Sequence, residues 1–152
     1  MRFEVWTKDL NRLGVDCVVV GVFEGGELPD ETRLVDKAGG GRIGSLVKRG
    51  DFAGRLGDTQ LIGELPGLRA TRVLLVGQGS RTGLNRKAWR RSIHASVSAL
   101  ARTRIGSAAL ALARPAASEL DDYWFARATA EVTAAALYRV NDLKSARKPR
   151  PV

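Results

Sequence analysis

The residues able to do acid–base, nucleophilic or metal chemistry in this sequence are few and far apart. His94 is the only histidine and Cys17 the only cysteine among 152 residues. A zinc site needs three or four Cys, His or carboxylate ligands, and nothing completes a set around either residue. His94 lies four residues after Arg90 in a segment with helical spacing, so a solvent-facing or helix-packing histidine is expected. Cys17 sits inside an apolar run, as a small buried hydrophobe does. Ser45 and Ser80 would each need the single histidine to build a triad. Asp121 and Asp122 are adjacent carboxylates in the first turn of an expected helix, where the helix dipole accounts for them. The sequence therefore predicts no catalytic residue and no metal ligand.

Glycines and cations offer binding rather than catalysis. Gly77-Gln78-Gly79 follows a strand-like run as a dinucleotide loop would, but the third glycine of GxGxxG would fall at Thr82, so a structural turn is expected. Gly39-Gly40-Gly41 has two readings: successive backbone N–H groups that hold a phosphate, or a plain chain reversal. Arg81, Arg86, Lys87, Arg90 and Arg91 gather at the start of a helix, where each well-placed cation opposes the dipole by roughly 0.3–1 kcal/mol. A bound polyanion, an acidic partner surface or a screened, solvated face would each account for them. Lys144, Arg147, Lys148 and Arg150 form a second basic run, which as a flexible tail could neutralise phosphates without reading sequence. Together these two groups are the candidate polyanion-binding residues.

Alternating strands and helices must position these groups. Arg2–Lys8 alternates as a half-covered strand does, and Asp16–Phe23 and Thr71–Val76 are β-branched, apolar runs of the kind covered on both faces. Pro29 with Asp30 and Glu31 suits a helix start; Gly39–Gly41 ends that helix, and Ile43–Arg49 makes a short one. Asp58–Leu65 is a strand joined to the next by a turn at Pro66-Gly67. Asn85 is a helix cap with Leu84 and Trp89 as its staple, and Trp89, Ile93, Val97, Leu100 and Ala101 form the buried stripe. Ser107–Ala113 is a strand candidate whose alanines equally suit a helix. Ser118 is expected to open the last long helix, with Leu120, Trp124, Ala128, Val132 and Ala135 facing the core. Residues 1–140 thus form one α/β domain, a mixed, twisted sheet flanked by helices, and 141–152 a basic connector. Val18, Val20, Val22, Val73, Leu75, Trp89, Ile93 and Val97 are its expected core.

Composition sets the outer bounds. The chain is 44% apolar with a net charge of +9, which makes a polyanion a reasonable partner. No apolar run approaches the roughly 20 residues of a membrane span, and the N-terminus lacks a signal-peptide core. With a single cysteine, the expected compartment is cytoplasmic.

The order DCVVVGVFEGG, then AGGGRIGSLVKRGDFAGRLGDTQLI, then TRVLLVGQGSRTGLNRKAWRRS resembles the N-terminal domain of leucyl aminopeptidases, the cytosolic dinuclear-zinc exopeptidases. The ending LYRVNDLKSARKP is similar to that family's junction. The resemblance implies a macro-domain-like fold and places all peptidase chemistry in a larger C-terminal catalytic domain, which would hold two divalent metal ions, zinc or manganese. It implies partnership with that domain and a role in organising a homo-hexamer, with no peptidase activity in these 152 residues alone. The chain is then an excised domain or a separate protein of the same fold, and the abrupt tail at Val152 favours excision. Some bacterial members of the family also bind DNA, so weak, nonspecific duplex DNA binding through the basic residues is the alternative. A further alternative, ADP-ribose binding, follows from the macro-domain likeness. Against it, VFEGGELPD lacks the asparagine that such sites usually place after the first central strand.

Overall fold

In the computed structural model the described residues are 10–116 and 120–147, with the side chains of the last helix described as far as Tyr138. The expected strand Arg2–Lys8 lies outside them. A short 3-10 turn at Leu10–Arg12 leads to strand β1, Cys17–Phe23. Helices α1 (Asp30–Ala38) and α2 (Arg42–Lys48) follow, then β2 (Thr59–Ile62), β3 (Arg72–Gly79), α3 (Arg86–Leu100), β4 (Ala108–Ala111) and α4 (Asp122–Arg147). The sheet order is β2-β3-β1-β4. β1 runs parallel to β3 and β4, and β2 antiparallel to β3. This is the mixed, helix-flanked sheet that the alternation of elements predicts.

Every residue of β1 is buried, as are all but the first of β3, because helices cover both faces. Side chains alternate between two cores. Val18, Val20, Val22, Val73 and Leu75 pack with Val35, Ile43 and Phe52 beneath α1 and α2. Cys17, Val19, Leu74 and Val76 pack with Trp89, Ile93, Val97, Phe125 and Val132 of α3 and α4. All eight residues named as core in the sequence are buried. Asn85 caps α3 by accepting the Ala88 N–H at 2.8 Å. The alanine-rich segment is a strand, since residues 108–111 pair in parallel with Cys17–Val20.

α4 differs from expectation in three ways. Its cap is Asp121, whose carboxylate accepts the Trp124 N–H at 2.8 Å; Ser118 and Glu119 lie outside the described residues. Its buried positions are Phe125, Ala128, Val132, Thr133 and Ala136; of the expected face, Ala128 and Val132 are buried, Leu120 and Trp124 pack half-buried against the core, and only Ala135 is exposed. Phe125 and Ala136 widen that face, and Ala135 is misplaced because one alanine among several on this helix carries no mark of its side. Finally, the helix continues past Val140 to Arg147, so the first part of the expected connector, residues 141–147, is helical. The run NDLKSAR contains no proline or glycine, and the first residue that disfavours helix before it is Pro149.

Candidate functional site

Parallel sheets bind ligands at the carboxyl ends of their strands, where connections diverge to opposite faces. Here that point lies between β1 and β3, because α1 and α2 cover one face and α3 the other. It is filled by the chain itself. The segment from Gly54 to Asp58, just before β2, bends across the ends of β3 and β1. Gly79 N–H donates to Gly54 O at 3.0 Å, Gly57 N–H to Gly77 O at 3.0 Å, and Gly77 N–H to Asp58 O at 2.8 Å. A Cβ on Gly77 would lie 1.9 Å from Arg55 O, and one on Gly54, whose φ is +80°, would lie 2.4 Å from Phe23 O. Main chain rests directly on main chain. Gly77 and Gly79 thus serve close approach and a left-handed turn, not a phosphate loop.

Gln78, between them, is buried and reaches across β1. Its amide accepts the Ala113 N–H at 2.9 Å and donates to Ala113 O at 3.0 Å. Gly21 makes the passage, since a Cβ there would stand 1.8 Å from the Gln78 Oε1. Thr32 Oγ1 donates to Gly21 O at 2.6 Å from the other face. This bridge escapes a sequence reading because a lone Gln in an apolar strand has no motif; the Gly21 in an otherwise bulky run is its one trace.

The glycine triplet is a chain reversal. The N–H groups of Gly39, Gly40 and Gly41 donate to carbonyls of Val35, Lys37 and Asp36, leaving none for a phosphate. The start of α2 is met by the Asp36 carboxylate, which accepts from Ile43 N–H at 2.8 Å and Gly44 N–H at 3.2 Å.

The reactive residue types remain scattered. Cys17 is fully buried, and burial pushes its thiol up to about 11, against the weaker opposing pull of a backbone hydrogen bond with Leu74 and the charge of Arg72. Ser45 is exposed on α2, and Ser80 Oγ lies 2.9 Å from Thr82 Oγ1. Asp122 pairs with Arg114 at 2.7 Å. Exposed His94 borders a shallow cleft of about 370 Å³ with Arg90, Arg91 and Glu131. Among the described residues no three His, Cys, Asp or Glu side chains converge on a metal position. The donor set of this part of the chain therefore does not fit the divalent metals of a peptidase centre.

The basic cluster around α3 is brought together but partly compensated. Arg81 pairs with Glu27, Arg90 lies 3.7 Å from Glu131, and Arg86 sits over the Trp124 ring at 5.8 Å from its centroid. Lys87 and Arg91 are exposed. Of the second run, Lys144 and Arg147 belong to α4, and Lys148 and Arg150 lie outside the described residues.

A sheet of this order between two helical layers, with the segment before β2 lying across its carboxyl end, defines a macrodomain-like fold. The macrodomain of Mycobacterium tuberculosis DarG superposes with a TM-score of 0.62 at 13% identity, covering 89% of each chain. A tomato leucine aminopeptidase mutant gives 0.59 at 21% identity over 82% of this chain and 25% of that one. Sequence carries the assignment further. A model of the cytosol aminopeptidase family, N-terminal domain, matches residues 19–147. A probable cytosol aminopeptidase of Halorhodospira halophila is 37% identical over 99% of this chain and 30% of its own length. Another, from Acidithiobacillus ferrooxidans, is 45% identical over 64% of this chain and 19% of its own. The chain belongs to the cytosol aminopeptidase family, as its N-terminal domain, and spans less than a third of the length of these relatives.

Proposed function

We propose that this domain is a noncatalytic organiser within a longer aminopeptidase that releases N-terminal residues from peptides. In this reading the peptidase chemistry, with its two zinc or manganese ions, belongs to a C-terminal catalytic region, and the domain helps to order a homo-hexamer around it in the cytoplasm. The observation that carries the reading is the family match across residues 19–147, on a domain whose described side chains offer no metal-ligand cluster. The absence of a described helix long and apolar enough to cross a membrane is consistent with it.

Two measurements test it. The purified 152-residue chain should not hydrolyse leucine p-nitroanilide with zinc or manganese, because a catalytic metal needs about three protein ligands; metal-dependent turnover free of contaminating peptidase would refute this. Deleting the equivalent domain from the Halorhodospira relative should leave smaller particles in sedimentation, and an intact, fully active hexamer would refute the organising role.

A further inference from the structure

The end of the sheet opposite the closed crevice, where β1, β3 and β4 begin, gathers five arginines from distant parts of the sequence. Arg72 opens β3, level with Cys17 of β1. Arg69 donates its backbone N–H to Asn11 O at 2.9 Å, next to Arg12. Its guanidinium covers Gly14, where a Cβ would lie 3.2 Å from Cζ. Arg102 follows the last turn of α3, and Arg104 precedes the turn whose Gly106 N–H reaches the Asp16 carboxylate at 2.9 Å. Parallel neighbours are about 4.8 Å apart, so the three strand starts span about 10 Å, widened by Arg12 in one helical layer and Arg102 in the other.

All five arginines are exposed. Among the described residues none of them makes an ion pair, unlike Arg33, Arg49, Arg81, Arg90, Arg114 and Arg127. Two carboxylates share this end. Asp16 is committed to the Gly106 and Ser107 N–H groups, and Glu64, just past β2, pairs with none of the five. Close in sequence to the arginines, Leu13, Val15, Leu68 and Ile105 are half-buried, with Val15, Leu68 and Ile105 resting on the two cores and partly reaching solvent.

We propose that this arginine edge is a docking surface for an acidic face of a protein. Guanidinium groups match carboxylates bidentately, and arginine among partly exposed apolar side chains is the make-up of protein interfaces. A nucleic-acid backbone would use the cations but not the apolar residues near them. A second copy of the same edge would set arginines against arginines, which disfavours symmetric pairing of two such edges. The inference is independent of the organising role, since the surface is tested on this chain whatever its assembly.

The test is an NMR titration of the isotope-labelled chain with a glutamate homopolymer of about 20 residues, and in parallel with a DNA duplex of equal charge. The homopolymer should shift the amides of Arg69, Arg72, Arg104 and Gly106. Replacing Arg69, Arg72 and Arg104 together by glutamate should weaken binding at least about tenfold, whereas Arg86→Glu with Lys87→Glu should change it less than about twofold. Shifts centred on residues 86–91, preference of the edge for the duplex, or no shift at low salt would each overturn the proposal. The wild-type shift map decides the matter even if a variant folds poorly.

Discussion

At the carboxyl end of β1 and β3, backbone lies on backbone, glycines stand where any side chain would collide, and a buried amide ties β3 to the segment after β4. At the amino end of the same strands lie exposed arginines that, among the described residues, form no ion pair. One sheet thus presents one end as packed interior and the other as open surface. Open α/β sheets bind ligands at the first of these ends; here the segment Gly54–Asp58 lies across it. Any recognition by the described part of the domain falls to its surfaces, and the least compensated of these is the arginine edge.

The contrast predicts very unequal tolerance to substitution. The largest effect should come from Gly54→Ala, which combines a left-handed φ with a collision against Phe23 O; a loss of about 4 kcal/mol is expected in urea unfolding. A loss under about 1 kcal/mol would mean that the loop lifts freely and the crevice opens. Gln78→Leu should follow, at about 3 kcal/mol, because it strands the buried N–H and C=O of Ala113.

Cys17 lies just inside the arginine edge and tests how dry the sheet is there. Its thiol is raised from 9.0 to about 11, so the folded state holds a proton that the unfolded chain releases first. Its contribution, on the order of 2–3 kcal/mol, is fully present below pH 9 and is lost as pH rises towards 11. Comparing urea midpoints of the wild type and Cys17→Ala across that range checks this: the wild type should decline more steeply. Parallel curves would mean that water reaches the thiol. The smallest effects belong to the edge itself. Arg72→Gln and Arg104→Gln should each alter stability by no more than about 0.5 kcal/mol, and a larger loss would make them structural cations rather than a docking surface.

How much was legible follows the locality of each signal. β1 and β3 are readable because burial on both faces leaves continuous apolar runs, and α3 because Asn85, Leu84 and Trp89 mark its start within five residues. The turn at Pro66-Gly67 and the stop at Gly39–Gly41 are equally local. The phase of α4 is readable in part: Leu120, Trp124, Ala128 and Val132 face the core as expected, but the alanines around the helix give Ala135 no distinguishing mark, and Phe125 joins the core beside Trp89 at 5.1 Å between ring centroids. The cations show the same limit. Those adjacent in sequence, Arg81 to Arg91, look like a site and are in part compensated by Glu27 and Glu131 from elsewhere in the chain.

The sequence by itself determined β1, β3 and the helices between and after them, the two-sided sheet, the α3 cap and the family, since each is written in neighbouring residues or in motifs in order; residues 108–111 became a strand only by pairing with β1. Only the tertiary structure decided which end of the sheet is sealed and which cations stand together. Parallel pairing places the starts of β1, β3 and β4 at one end, so Arg12, Arg69, Arg72, Arg102 and Arg104 become neighbours across gaps that no local pattern spans. The same pairing aligns Gly21 with the Gln78 side chain, because a strand registers its partner by hydrogen bonds and not by distance along the chain.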